Sequence, residues 1–153
     1  MAVVHGNAVG IFVNPDGDGL TDATLVACAT NASFSLSNAL VETNCKTDAA
    51  GVLSDASTRH ILSGNQTWNM TVEGLVDLTA GGATATSYKD LMELALNRTE
   101  VDVVFSDQTT GNQQYHGKAY ITSIDASAGV DDFVTYTCNF DGNGSLTSVA
   151  VPV

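Results

Sequence analysis

Basic residues are scarce in this chain of 153 residues. Five Lys and Arg stand against 17 Asp and Glu, which gives a formal net charge of −12 at pH 7. No basic run is available to neutralise a series of phosphates, so the composition argues against tight nucleic-acid binding. The three cysteines, Cys28, Cys45 and Cys138, are widely spaced and include no CxxC pair. They fit neither a zinc site nor a disulfide framework, and we expect free, mostly buried thiols.

Long apolar runs are missing as well. No segment approaches the roughly 20 residues of a membrane span, and the N-terminal residues MAVVHGNAVG lack the basic and apolar regions of a secretory signal. We therefore expect a protein made in the cytoplasm, with no membrane contact and no use of its five Asn-x-Ser/Thr sequons. At this length, with 44% hydrophobic residues, the chain suits a single domain spanning residues 1–153.

Sequence signatures of catalysis are not found either. The three histidines, His5, His60 and His116, are isolated, and no nucleophile elbow, HExxH motif or phosphate-binding glycine loop is present. The segment Asn14 to Gly19 matches the first half of a twelve-residue calcium loop. The twelfth position of that loop, counted from Asn14, is Leu25, where a glutamate is needed. A β-turn is the simpler interpretation of that segment. The sequence predicts no enzyme, no cofactor and no metal site, with a hydrolase as a minor alternative.

The clearest structural signal is the alternation of apolar and polar residues from Gln66 to Leu78, which is typical of a half-buried strand. A second segment, Ala32 to Thr43, alternates in the same way. Its polar side is built of small, mostly hydroxylic residues that resemble the polar side of the first segment. We therefore expect the two polar faces to share one side of a sheet. These polar residues are Ser33, Ser35, Ser37, Thr67, Asn69, Thr71 and Glu73.

Turn residues and alternation predict five further strands. The segment from Asn44 to Ser63 is small, polar and nearly aperiodic. A loop of that length inside a domain is predicted either to bind something or to be disordered. The predicted strands are Ala8 to Val13, Thr24 to Thr30, Val101 to Phe105, Tyr115 to Ser127 and Val134 to Asp141.

One helix is predicted after the Gly81-Gly82 connection. Ser87 is suited to cap its N-terminus, Asp90 stands at the third helical position, and Asn97 and Arg98 close it. Apolar residues recur at helical spacing and predict a stripe that covers the apolar side of the sheet. The fold class is therefore mainly β with one flanking helix. The predicted helix–sheet core consists of Trp68, Met70, Val72, Tyr88, Leu91 and Met92.

Several segments, in this order, resemble the major tail tube proteins of long-tailed, non-contractile bacteriophages and of gene transfer agents. The resemblance covers roughly residues 8 to 147. The chain departs from the family pattern after Asp48, where Ala49-Ala50-Gly51-Val52 replaces a Gly-Trp pair and a further aromatic residue. The similar segments are VETNCKTD at 41–48, WNMTVEGL at 68–75, YKDL at 88–91, GKAYITS at 117–123, TYTCNF at 135–140 and GNGSL at 142–146.

The resemblance implies a β-sandwich or barrel with a flanking α-helix, assembled as hexameric rings whose sheets join into one continuous inner β-barrel. The rings would stack into a tube in the virion tail after assembly in the host cytoplasm. Implied partners are further copies of the chain, the tape measure and terminator proteins and baseplate components. DNA would pass through the tube without tight binding.

For the residues, the resemblance implies that the polar faces line the channel, which assigns Ser33, Ser35, Ser37, Thr67, Asn69, Thr71 and Glu73 to its wall. Lys46, Asp48, Asp55 and Arg59 are expected in a loop that contacts the next ring. Two alternatives stay open. One is a secretion-system tube protein of the same fold, and the other is a carbohydrate-binding or adhesion β-sandwich, which requires exposed aromatic residues.

Overall fold

The computed structural model describes residues 4–16, 20, 22–42, 61–79 and 84–152. These residues form nine strands and one α-helix, together with a short 3-10 turn at Gly6–Ala8. The elements in chain order are β1 (Gly10–Asn14), β2 (Thr24–Val26), β3 (Ala29–Glu42), β4 (Ile61–Leu75), β5 (Ala85–Thr86), α1 (Tyr88–Asn97), β6 (Val101–Ser106), β7 (Gln113–Ser127), β8 (Thr135–Gly142) and β9 (Thr147–Ala150).

The chain divides into two compact units. The first comprises Met1–Ser35 and Trp68–Val153, and the second comprises Leu36–Thr67. All strands belong to one sheet with the order β3-β4-β8-β7-β6-β1-β2-β5, while β9 pairs with β7. Most pairs are antiparallel, and β2 with β5 is parallel. The mainly β class with a single helix, predicted from the sequence, is confirmed.

In the first unit, strand β7 connects the two halves of the sheet. Its first part pairs with β6 and β9, and its second part pairs with β8. The register shifts between Ile121 and Ser123, and such a bulge bends a strand. The ring centroid of Phe34 on β3 lies 5.9 Å from that of Phe105 on β6 and 5.8 Å from that of Tyr115 on β7. Strands distant in the sheet order therefore face each other, as in a sandwich.

The core of the first unit fills the space inside this curved sheet. From Trp68 to the end of β4, and on β8 as far as Phe140, every second residue is buried, so these segments follow the predicted alternation. Strand β6 is buried on both sides and shows no alternation. The fully or almost fully buried apolar residues are Ile11, Val13, Val26, Trp68, Met70, Val72, Leu91, Val101, Val103, Val104, Ala119, Tyr136, Cys138 and Phe140.

Helix α1 begins with the capping box that the sequence predicts. The Ser87 hydroxyl accepts a hydrogen bond from Asp90 N at 3.4 Å, and Ser87 N donates to Asp90 Oδ2 at 2.9 Å. Arg98 ends the helix in the left-handed conformation, with φ of 53°. The helix packs mainly against β7. Within the described residues, no helix combines the length and apolarity that a bilayer span requires.

The second unit contains the distal parts of β3 and β4. Its described residues are 36–42 and 61–67, and all are exposed except the half-buried Gly64. Gln66 Nε2 donates to Asn38 Oδ1 at 2.9 Å, and Gly64 faces the backbone of Ala39. The predicted apolar face of β3 is therefore not buried here, since Leu36 and Leu40 are exposed.

Several predicted boundaries are wrong. The segment Thr24 to Thr30 is not one strand, because Cys28 adopts a left-handed backbone with φ of 55° and separates β2 from β3. Strand β4 begins at Ile61, inside the predicted loop, and ends at Leu75. Strands β5 and β9 have two and four residues, which is too short for a periodic pattern. Cys28 is exposed, against the expectation of a buried thiol, whereas Cys138 is buried; Cys45 lies outside the described residues.

Candidate functional site

Five of the seven predicted channel residues lie in the first unit, and hydrogen bonds connect their strands. Asn31 Nδ2 of β3 donates to Glu73 Oε2 of β4 at 3.1 Å. Thr71 Oγ1 of β4 donates to Asn139 Oδ1 of β8 at 2.7 Å, and Asn139 Nδ2 donates to Ser123 Oγ of β7 at 2.9 Å. These side chains form a polar face that runs across four neighbouring strands.

The polar face is held by its own side chains as well as by the backbone ladder. Thr30 Oγ1 donates to the carbonyl oxygen of Glu73 at 3.3 Å. Together with the bond from Asn31, this gives two side-chain links between β3 and β4. Ser33, Ser35, Asn69 and Glu73 are exposed, while Thr71 is half-buried beneath its bond to Asn139. Amide and hydroxyl groups that bond to one another offer fewer free donors to a ligand.

Positive charge is absent from the strand segments that carry this face. The described ranges of β3, β4 and β8, and the part of β7 from Ala119 to Ser127, contain no Lys, Arg or His. They do contain four carboxylates, at Glu42, Glu73, Asp125 and Asp141. The nearest basic residue along β7 is Lys118, whose Nζ lies 3.6 Å from Glu100 Oε2. The four strand segments therefore present acceptors and negative charge rather than cations.

The other two predicted channel residues, Ser37 and Thr67, belong to the second unit. Both are exposed on the described strand segments. The residues predicted to contact a neighbouring ring, Lys46, Asp48, Asp55 and Arg59, lie outside the described residues, so that assignment stays a prediction.

The predicted helix–sheet core needs one correction. Trp68, Met70, Val72 and Leu91 are buried, and Tyr88 packs against the core beside Tyr136, with ring centroids 5.2 Å apart. Met92, however, is 36% exposed. Leu91 occupies the side of α1 that faces the sheet, and the next residue along a helix is turned by about 100° from it. Met92 is therefore partly exposed to solvent and not part of the buried core.

Trp68 contacts two glycines that the sequence analysis did not single out. Side chains at Gly117 or Gly142 would collide with the indole ring. Trp68 Nε1 donates to the carbonyl oxygen of Gly144 at 3.1 Å, and the ring is 3% exposed. The lone tryptophan therefore offers no surface on which a sugar could stack. The G-K-A-Y and G-N-G segments are the signal that could have located this contact.

Metal-ligating side chains are not clustered in the described residues. Among them, no three His, Cys, Asp or Glu side chains are grouped so that they could hold a metal ion. Asn14 Oδ1 accepts from Asp16 N at 3.0 Å, which is an Asx-turn bond at the start of the segment predicted as a β-turn; Gly17, Asp18 and Gly19 lie outside the described residues. Burial raises the pKa of the Cys138 thiol to about 12, so this thiol stays protonated and unreactive at neutral pH.

Comparison with solved structures shows the same fold in tail tubes. The tail of an empty gene transfer agent particle, refined helically with C6 symmetry, matches with a TM-score of 0.70 and 17% identity over 97% of this chain and 100% of that chain. The SPP1 tail tube matches with a TM-score of 0.71 and 15% identity over 99% of this chain and 81% of that chain. No curated protein matches the chain.

A further match is the virion of a native gene transfer agent particle, with a TM-score of 0.68 and 16% identity over 97% of this chain and 100% of that chain. At these identities the likeness concerns the fold. The family itself is shown by a sequence model: the model of the phage tail tube protein family matches residues 4–148. The chain therefore belongs to the phage tail tube proteins and is a structural tube subunit of the virion.

Proposed function

We propose that six copies of this chain close into a ring whose polar face lines a DNA channel, and that the rings stack into the tail tube. The observation that carries the proposal is the hydrogen-bonded polar face without Lys or Arg on β3, β4, β8 and the second part of β7. The number six follows the C6 symmetry of the gene transfer agent tail that this fold resembles.

Ring closure has a physical reason in the sheet. Strand β3 has 14 residues and stands at one end of the sheet order, next to β4 only. A long unpaired edge exposes backbone donors and acceptors that readily pair with another chain. Pairing this edge with a neighbouring copy in a closed ring satisfies those groups and leaves no edge free. The six sheets would then form one continuous inner barrel.

A wall of this composition suits passage rather than binding. Phosphates are repelled by the carboxylates of Glu73, Asp125 and Asp141, and they meet no cation on β4, on β8 or on β7 from Ala119 to Ser127. The hydroxyl and amide side chains are already bonded to one another across the strands. DNA can therefore slide along the wall without a succession of phosphate contacts that would hold it.

The same proposal assigns the remaining roles. The chain acts as a structural component and not as an enzyme, and its contacts are with further copies and with the tape measure, terminator and baseplate proteins. Ser37 and Thr67 extend the channel wall, and the loop with Lys46, Asp48, Asp55 and Arg59 contacts the next ring. Assembly takes place in the host cytoplasm.

Electron microscopy of the purified full chain tests assembly. Rings or stacked tubes are expected as concentration rises, and a protein that stays monomeric at high concentration would contradict the proposal.

A charge substitution tests the channel wall. Ser35→Lys adds a cation to the polar face, and Asn97→Lys adds one to the exposed end of α1. We expect both variants to fold and assemble, but only Ser35→Lys to slow DNA ejection from particles whose tails contain it. Equal ejection rates for the two variants would mean that the polar face does not line the channel.

A further inference from the structure

An apolar tip joins β7 to β8. The tip comprises residues 128–134, between Ser127 and Thr135, which pair with each other at the ends of the two strands. Two of its side chains face solvent almost completely, Val130 at 103% and Phe133 at 84% of their reference area. Gly129 lies against Asp132, so the turn folds back on itself. Two large apolar side chains are thus presented together to water, which is unfavourable unless another surface covers them.

An open groove lies near the start of β7. It has a volume of about 610 Å³, and eight of its eleven lining residues are apolar. Gln108, Thr110 and Gln114 supply the polar part of the lining, and none of the eleven residues is charged. The apolar lining includes Phe12, Leu20, Val104, Val149, Ala150 and Pro152.

The tip and the groove stand at opposite ends of the same strand. Gln114, which lines the groove, pairs with Val149 near the start of β7, while the tip follows Ser127 at its end. At about 3.3 Å per residue, these ends lie up to roughly 40 Å apart along the strand. Val130 and Phe133 of the tip are exposed, so the tip does not occupy the groove of its own copy and is free to enter the groove of another.

An uncharged groove limits the repulsion between copies. Two chains that each carry −12 repel one another, and the repulsion is smaller where one of the two contact surfaces carries no carboxylate. None of the eleven described residues that line the groove is charged. The two carboxylates of the tip, Asp131 and Asp132, would meet the exposed amide group of Gln108, which can donate hydrogen bonds to them.

We propose that the β7–β8 tip of one copy inserts Phe133 and Val130 into the β7 groove of a second copy. The contact uses different surfaces on the two partners, so it is head-to-tail and repeats from copy to copy. The inference rests on the proposed assembly into a tube and names the residues that hold its copies together. Burial of a phenylalanine side chain on its own is expected to tighten such a contact by roughly tenfold or more.

The test measures assembly of the purified full chain by sedimentation velocity and electron microscopy over a range of concentrations. Phe133→Ser removes the apolar side chain from the tip. Val149→Asp and Ala150→Trp alter the groove, one by adding charge and the other by adding bulk. Leu96→Ser is the control, because Leu96 is 78% exposed on α1 and lines neither surface. Thermal unfolding of each variant establishes that it folds.

All three test variants are expected to need at least about tenfold higher concentration for assembly, while the control assembles like the unaltered chain. The double variant Phe133→Ser with Val149→Asp should need a concentration for assembly little higher than either single variant, because both substitutions break the same contact. Loss of assembly in the tip variant alone would mean that the tip docks elsewhere and would overturn the inference. Normal assembly of all three variants would overturn it and leave the tube assignment intact. Failure of the unaltered chain to assemble would instead overturn the proposed function.

Discussion

Trp68 and Gly144 are joined by a hydrogen bond of 3.1 Å from the indole Nε1 to the glycine carbonyl oxygen. The bond ties β4 to the turn after β8 and holds the only tryptophan of the chain against the sheet. The indole ring occupies the space above Gly142 and Gly117, where any side chain would collide with it.

Gly142→Ala is therefore expected to lower the free energy of unfolding by about 1–3 kcal/mol, because the added methyl group forces the indole out of its position. Chemical denaturation followed by tryptophan fluorescence measures the change. Gly6→Ala is the matched control, since a Cβ at Gly6 meets no atom within 4 Å. Equal stability of the two variants would show that the indole has room to move.

Tyr136→Phe is expected to raise the free energy of unfolding by about 1 kcal/mol. The tyrosine is 2% exposed, and its hydroxyl has no hydrogen-bond partner within the described chain. A buried, unpaired hydroxyl loses its hydration on folding without compensation, and phenylalanine avoids that loss. Thermal and chemical denaturation would reveal the gain. A clear loss of stability would mean that the hydroxyl is satisfied by a bound water.

Alkaline pH is expected to destabilise the fold. Burial raises the pKa of the Cys138 thiol from 9.0 to about 12 and, as the largest cause, that of the Tyr136 hydroxyl from 10.0 to about 12. In the unfolded chain both groups lose their protons at lower pH than in the folded chain. Their contribution to stability is therefore complete below about pH 9 and is lost as pH rises towards 12.

Unfolding midpoints measured from pH 8 to 11 test this expectation. In Cys138→Ala the decline should be shallower than in the unaltered chain, because one of the two groups is gone. Cys28→Ala serves as the control for loss of a thiol, since Cys28 is exposed and contributes least to the raised pKa of Tyr136. An identical decline in all three proteins would exclude Cys138 as a cause.

Leu91 and Met92 allow a direct test of which side of α1 meets the sheet. Leu91→Ala is expected to cost about 2–5 kcal/mol, because Leu91 is fully buried and the change leaves a cavity. Met92→Ala should cost less than about 1 kcal/mol, since that side chain is partly solvated already. Denaturant titrations of the two variants give the comparison, and a reversed order would place the helix the other way round.

The sequence predicts the elements whose signals are local. The capping residue Ser87 and its partner Asp90 stand three positions apart, so the start of α1 follows from the sequence alone. The alternation on β4 and β8 arises because one face of each strand is buried. It predicts that Trp68, Met70 and Cys138 lie on the buried face. These features depend on neighbours within one strand or one helical turn.

Features that depend on distant segments could not be predicted in this way. The sequence predicts a strand at Val101 to Phe105, but not that both sides of β6 are buried, including Asp102 and Val104. The bulge between Ile121 and Ser123 shifts the alternation within β7. The sequence pattern therefore does not assign Ser123 to the polar face. Asn31 joins that face through Glu73, which is 42 residues away in sequence, and no spacing rule connects the two.

The continuous strand β7 also has a mechanical consequence. If its two ends are the points at which neighbouring copies attach, a pull along the tail is carried through one covalent backbone, without passing through a flexible linker. Its ladders with β6 and β8 then bear the force in shear, where many hydrogen bonds must break together. The bulge at Ile121 and Ser123 is the place where such a strand can straighten slightly, so a tube built in this way could bend without coming apart.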